Sequence, residues 1–134
     1  MSITLRFIAG VVGGCATAVA IALAASFAAR TLWPEYAAAE PHRAYTLVML
    51  VSRLAVAAFC TSAAACFTTI IARDNGKAAW WLGGLFLAIS VPIHLYREWA
   101  DFPVWYHFVY LTYLVPVAGL AGRVMSRRDT SPEG

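Results

Sequence analysis

Charge is what this chain has least of. Ten basic and seven acidic side chains make up 13% of its 134 residues, against about 25% in an ordinary soluble domain, while 61% are apolar. So few ionisable groups cannot coat a water-soluble globule, which excludes a soluble enzyme. The formal net charge of +3 is small and lies on one set of connecting segments, which excludes a nucleic-acid binder. No phosphate-binding loop, nucleophile elbow or metalloprotease pair occurs in the sequence. The three cysteines, Cys15, Cys60 and Cys66, form no Cys-x-x-Cys motif and lie in apolar segments, so they read as small hydrophobes rather than a disulfide or redox centre. At this length there is one domain at most.

What is present is oil. Uncharged or nearly uncharged stretches run over 7–29, 44–72, 78–96 and 102–122. The second is broken only by Arg53, and the third and fourth each carry one histidine. Each is close to or longer than the roughly 20 residues that cross a bilayer as a helix. None alternates polar and apolar residues as a barrel strand must, and helices satisfy their backbone hydrogen bonds internally, as lipid demands. The expected fold is therefore all-α: an integral membrane four-helix bundle over 1–125, followed by a polar, disordered tail at 126–134.

Boundary chemistry supports these divisions. Glu40-Pro41 suits the start of the second helix and Asp101-Phe102-Pro103 that of the fourth. Asp74-Asn75-Gly76 signals a tight turn between the second and third. Pro92 and Pro116 lie inside spans and are expected to kink them. Ser26-Phe27-Ala28 resembles a signal-peptide cleavage site, but the apolar run before it exceeds a normal signal-peptide core, so a retained span is expected.

Orientation follows the arginine and lysine bias. Arg6, Arg73, Lys77, Arg123, Arg127 and Arg128 lie on the head, second connection and tail. Arg30, Arg43 and Arg97 share the other two connections with Glu35, Glu40, Glu98 and Asp101. Both termini are thus expected in the cytoplasm. An alanine-rich, arginine-over-lysine composition suggests a bacterial inner (cytoplasmic) membrane.

Small residues Gly10, Gly14, Ala18, Ala22 and Ser26 recur every fourth position of the first span, on one helical face. Such a face admits close approach of another helix, either inside the bundle or from a second copy. Ala118 and Gly122 repeat the pattern briefly in the fourth span. Trp33, Tyr36, Tyr45, Tyr96, Trp99, Trp105 and Tyr106 cluster towards the outer side, with Trp80 and Trp81 at the inner end of the third span, and all are expected at headgroup level.

Arg53 is the residue most suggestive of function, because a charge inside hydrocarbon is costly unless it snorkels to the interface. His94 and His107 should meet at similar depth, since their helices are antiparallel neighbours joined by a short connection. With Arg53, Glu98, Asp101 and Tyr110 they form a candidate polar cluster at the outer side. Its functional alternatives are a haem between the two imidazoles, a metal held by His94, His107 and a carboxylate, or a pocket for a small ligand, proton or lipid headgroup. In the plainer alternative these groups hydrogen-bond one another and tie the helix ends. No catalytic residue, resident cofactor or metal is expected; the partners are lipid and either a second copy or another membrane protein.

The segments Pro41-His42-Arg43-Ala44-Tyr45-Thr46, Pro92-Ile93-His94 and Phe102-Pro103-Val104-Trp105-Tyr106-His107 resemble those of an uncharacterised family of small four-span bacterial membrane proteins. The resemblance implies an inner-membrane location and carries no activity. Two functional expectations result. The first is a non-enzymatic accessory, structural or oligomeric membrane protein; the second is a ligand-, proton- or cofactor-handling one.

Overall fold

The computed structural model describes residues 1–129. Helix α1 (Ile3–Leu32) opens where the Ser2 hydroxyl accepts from the Leu5 N–H at 3.2 Å. It closes at Trp33, since the residue before a proline is driven out of the helical region and Pro34 follows. A short helix, α2 (Pro34–Ala39), and a 3-10 turn (Glu40–His42) come next. Arg43 ends that turn in the left-handed conformation at φ 54°. Helix α3 (Leu47–Ala72) is capped by Thr46, whose hydroxyl accepts from Met49 N–H at 3.4 Å. Glu40-Pro41 therefore starts the 3-10 turn, and not the second spanning helix as expected. The better N-cap, Thr46, lies further on.

At Asp74-Asn75-Gly76 the turn forms as the sequence indicated, with Asn75 at φ 59° and Gly76 at φ 82°. Asp74 Oδ2 accepts from the Ala78 N–H at 2.7 Å and caps helix α4 (Lys77–Pro92). Pro92 has no N–H to return to α4, and the next turn, Ile93–Arg97, widens to a π turn closed by Glu98 N–H donating to the Ile93 carbonyl at 3.1 Å. Helix α5 (Val104–Asp129) starts after Pro103, whose carbonyl accepts from Tyr106 N–H at 3.0 Å. Residues 126–129, expected in a tail, continue α5, with Arg127 and Arg128 in the last turn where cations complement the helix dipole. Residues 130–134 of the expected tail lie outside the described residues.

Among the described residues no strand occurs. The helices α1, α3, α4 with its π turn, and α5 are each long and apolar enough to cross a membrane, which marks a membrane protein. They run alternately up and down. We call the end holding Gly10, Gly76 and Gly122 the lower end, and that holding Arg53, His94 and Val104 the upper end. Outward faces are hydrocarbon: Leu23, Phe27, Phe59, Trp81 and Phe108 are all exposed.

Small residues set the packing. Fully enclosed Ala64, Ala65, Ala79, Leu82 and Ala118 form the core between α3, α4 and α5, with Val11, Cys15 and Ala18 of α1 against it. A Cβ placed on Gly10 would come within 2.8 Å of the Thr68 carbonyl, and one on Gly14 would overlap the Thr68 hydroxyl. At this contact the buried Thr68 hydroxyl donates to the Gly10 carbonyl at 3.0 Å, joining α1 to α3. Thr69 and Ser62 bond back to their own helix, as expected of such residues; Thr68 instead crosses to α1. On α4 and α5, Gly83 meets Ala118 and Gly122 meets Ala79 in the same close manner.

The small-residue face of α1 is used only in part. Gly10 and Gly14 are buried and Ala18 is half-buried, whereas Ala22 and Ser26 are exposed. Helix α1 packs chiefly on α3, touches α4 less and scarcely meets α5, which leaves a gap on the α4 and α5 side of its upper half.

These contacts set a contrast between two glycines. Gly14→Val should separate α1 from α3 and lower stability by about 1–3 kcal/mol, the usual cost of overpacking. Gly84 has nothing within 4 Å of its absent Cβ, so Gly84→Ala should leave stability unchanged or slightly raised. Thermal unfolding in detergent reads both; equal losses at the two sites would contradict the contact described.

Candidate functional site

Arg53 lies in the second turn of α3, at the upper end. Its Nη1 donates to the Tyr36 hydroxyl at 2.5 Å. Its guanidinium lies 4.9 Å from the Tyr45 ring centre and 5.4 Å from that of Phe102, in cation–π contact with both. The Tyr106 hydroxyl is a second phenol neighbour. These partners come from four segments: α2, the 44–46 connection, the 98–103 connection and α5. They also stack on one another, Tyr45 on Phe102 at 5.6 Å and Phe102 on Tyr106 at 4.9 Å. Leu50, Phe102 and Tyr106 form a second buried cluster beneath the cage.

No member of the cage is an anion. Among the described residues no carboxylate pairs with Arg53, and its Nε is buried without a hydrogen-bond partner. Glu40 is near enough to feel the Arg53 charge but is committed elsewhere: it accepts from Arg30 Nε at 2.6 Å and Nη2 at 3.0 Å. The Arg30 hydrogen bonds hold the Glu40 carboxyl below its ordinary range. That pair therefore contributes above the unfolded carboxyl value and is lost as pH falls through the depressed one. Burial raises the Tyr45 phenol, which stays neutral at physiological pH.

The histidines form a separate centre. The π turn aims His94 inward and the first turn of α5 does the same for His107; both are buried. Their Nδ1 atoms are 2.8 Å apart, so one ring donates and the other accepts. His94 Nε2 is 3.9 Å from Glu98 Oε2, which favours its proton on that nitrogen. His107 Nδ1 then donates to His94, leaving the His107 Nε2 lone pair buried and unpartnered. Trp99 stacks on His107 at 4.9 Å and Tyr110 on His94 at 4.4 Å. This is the geometry of a hydrogen-bonded pair; ligating one iron from opposite sides requires the rings to separate. Among the described residues no group of three His, Cys, Asp or Glu side chains is placed to hold a metal ion.

Of the six residues of the expected cluster, the structure joins His94, His107, Glu98 and Tyr110 directly. Asp101 is linked to Glu98 through Arg43, whose Nη1 is 3.7 Å and 3.9 Å from the two carboxylates. Arg53 stands in its own cage. The two centres touch through Tyr106, which stacks at 6.3 Å against both His94 and Tyr110. Tyr36, Tyr45, Phe102 and Tyr106 were missed as site residues. Tyr36, Tyr45 and Tyr106 were expected in an interfacial belt, yet Tyr36 and Tyr106 are buried. The available signal was Arg53 itself, since a charge in an apolar helix needs partners and phenols at similar depth supply them.

Beside the cage, a cavity of 590 Å³ lies between α1, α3, α4 and α5. Arg53, Tyr36 and Trp33 close its upper end, and Leu114 and Cys15 lie at its lower end. Ala57 and Cys60 of α3, Phe86 of α4 and Tyr110 of α5 line the back. Wall residues Val19, Ala22, Ser26, Val56 and Ile89 are exposed, so the cavity opens sideways as a cleft. The small face of α1, from Ala18 through Ala22 to Ser26, forms its front wall.

Comparison with family models, curated proteins and solved structures finds no match to this chain.

The histidine pair permits a test by paired substitution. His107→Leu should strand His94 Nδ1 in a buried site and cost about 1–3 kcal/mol, as should His94→Leu in reverse. The double variant, with no polar group stranded, should lose less than either single variant. Thermal unfolding in detergent measures all three; additive losses would contradict a direct His94–His107 bond.

Proposed function

We propose that this chain is a multi-pass protein of a bacterial inner membrane that takes up an amphiphilic molecule from the bilayer in its side cleft. One observation carries the reading: a 590 Å³ cavity with predominantly apolar walls, open sideways where α1 draws away from α4 and α5. Its size falls in the roughly 300–1,000 Å³ range of small-molecule sites. In a bilayer its opening faces hydrocarbon, so a ligand enters without crossing water. The one charged residue of the lining, Arg53, lies at one end with the phenols of Tyr36 and Tyr106, as suits a molecule with a polar head and an apolar body.

The charge pattern supports cytoplasmic termini. Basic residues at the lower end, Arg6, Arg73, Lys77, Arg123, Arg127 and Arg128, outnumber those at the upper connections. Upper-end Arg30 and Arg43 are faced by Glu40, Glu98 and Asp101. The cleft thus belongs to the outer leaflet.

Of the two expectations raised by the sequence, the cavity favours ligand handling. The exposed upper half of the α1 small face, Ala22 and Ser26, supports a second reading, in which a helix of another copy or another membrane protein fills the cleft. Native mass spectrometry after detergent exchange, with oleate as the probe, separates them. The wild-type chain should retain one oleate, and Ala57→Phe, which fills the back wall, should retain none while staying folded. Oleate retained equally by both would contradict the cleft as the site. A chain pair that retains no oleate would favour the second reading.

A further inference from the structure

The cleft says how much apolar bulk a ligand brings; the cage says what its head must be. We infer that the ligand is a chain-bearing oxyanion of the bilayer, a carboxylate or phosphate on a hydrocarbon tail, whose head is held by Arg53. The inference rests on the ligand-binding reading of the cleft and adds the charge of the ligand to it.

Three observations converge. First, no carboxylate balances the Arg53 charge: its surroundings are two phenol hydroxyls and two ring faces, and the acid that senses it, Glu40, is held by two hydrogen bonds from Arg30. Secondly, the guanidinium has donors left over. It carries five N–H groups, and Nε has no acceptor at all. A charge in an apolar site is costly until an anion or further hydrogen bonds complete its environment. Thirdly, Arg53 lines the cavity at the end away from the hydrocarbon core, where a lipid head would lie. A guanidinium matches an oxyanion with two parallel N–H···O bonds, a geometry that suits carboxylate and phosphate alike.

The cage has a second consequence. Tyr36, whose hydroxyl accepts the hydrogen bond from Nη1, sits on α2, which begins at Pro34 and is followed by a 3-10 turn ending at the left-handed Arg43. The phenol therefore orients the guanidinium from a segment outside the four spanning helices. Tyr36 is a positioning residue; Arg53 is the group that meets the anion.

The test compares oleate with oleyl alcohol, the same chain with an uncharged head, on the full-length protein in detergent at pH 8. Oleate should bind about tenfold more tightly or better, the effect of one charge-assisted hydrogen bond or more. In Arg53→Gln that preference should vanish while the oleyl alcohol affinity changes by less than about twofold; Arg53→Lys should keep part of it. Tyr36→Phe should reduce the oleate preference without touching oleyl alcohol binding. A phosphatidylglycerol arm and a phosphatidylcholine arm tell a phospholipid source from a free fatty acid: displacement of oleate by the former alone supports the oxyanion and names a phospholipid. If neither reduces oleate binding, a free fatty acid is named. Equal wild-type affinity for oleate and oleyl alcohol overturns the anionic head and leaves the cleft standing, and this arm needs no variant. A preference that survives in Arg53→Gln overturns Arg53 as the anion's partner. Absence of binding by either chain molecule overturns the cleft and the head together. Displacement of oleate by sodium acetate at equal concentration overturns the chain-bearing ligand in favour of a free anion.

Discussion

Where α1 meets α3, at Gly10 and Gly14, the two backbones come so close that a methyl group on either glycine would strike Thr68. Lipid tails are as apolar as the side chains they would replace, so helices in a bilayer gain little from hydrophobic burial when they associate. Close packing and interhelical hydrogen bonds must do that work, and the Thr68–Gly10 bond provides both at once. The contact holds the lower half of α1 against α3. Everything that distinguishes the upper end follows: the exposed Ala22 and Ser26, the slight contact with α5, the side cleft and the access to Arg53.

The upper end solves two polar problems by different means. At the histidine pair each ring supplies what the other needs, so the polar cost is met internally, apart from one lone pair on His107. At Arg53 the phenols and ring faces stabilise the cation but leave its charge unbalanced. The first arrangement is complete as a structural tie between the π turn and α5. The second leaves Nε without an acceptor. Tyr106 stands between them, stacked on Phe102 on one side and on the His94–Tyr110 pair on the other, so the cage is braced by the histidine tie without sharing its chemistry.

Much of the architecture was legible in the sequence because hydrocarbon is a coarse constraint. Gaps between charged residues locate four helices, and Asp74-Asn75-Gly76 locates a turn, whatever the packing. Boundaries were less so. The second spanning helix was expected from Glu40-Pro41, but a proline at a first turn is equally at home in the 3-10 turn that forms there, and Thr46 decides the matter by its cap. Close approach through Gly10 and Gly14 was legible as a face; that the face would be left open at Ala22 and Ser26 was not, because residue spacing carries no information about where two helices diverge. The meeting of His94 with His107 followed from helix length and a short connection. The Arg53 cage did not, because it is built from α2 and two connections whose courses no periodicity describes. Aromatic residues near a membrane end suit an interfacial belt and a cation cage equally well.

Residence of a membrane amphiphile in the cleft can be observed without choosing a variant. A diazirine-bearing fatty acid, photolysed with the protein in its bilayer and mapped by peptide mass spectrometry, reports which residues the chain touches. Adducts that an excess of unlabelled fatty acid suppresses should fall within 18–29, 52–61 and 86–90, the walls of the cleft. Suppressible adducts spread equally over outward-facing positions such as Val12 and Phe108 would contradict it.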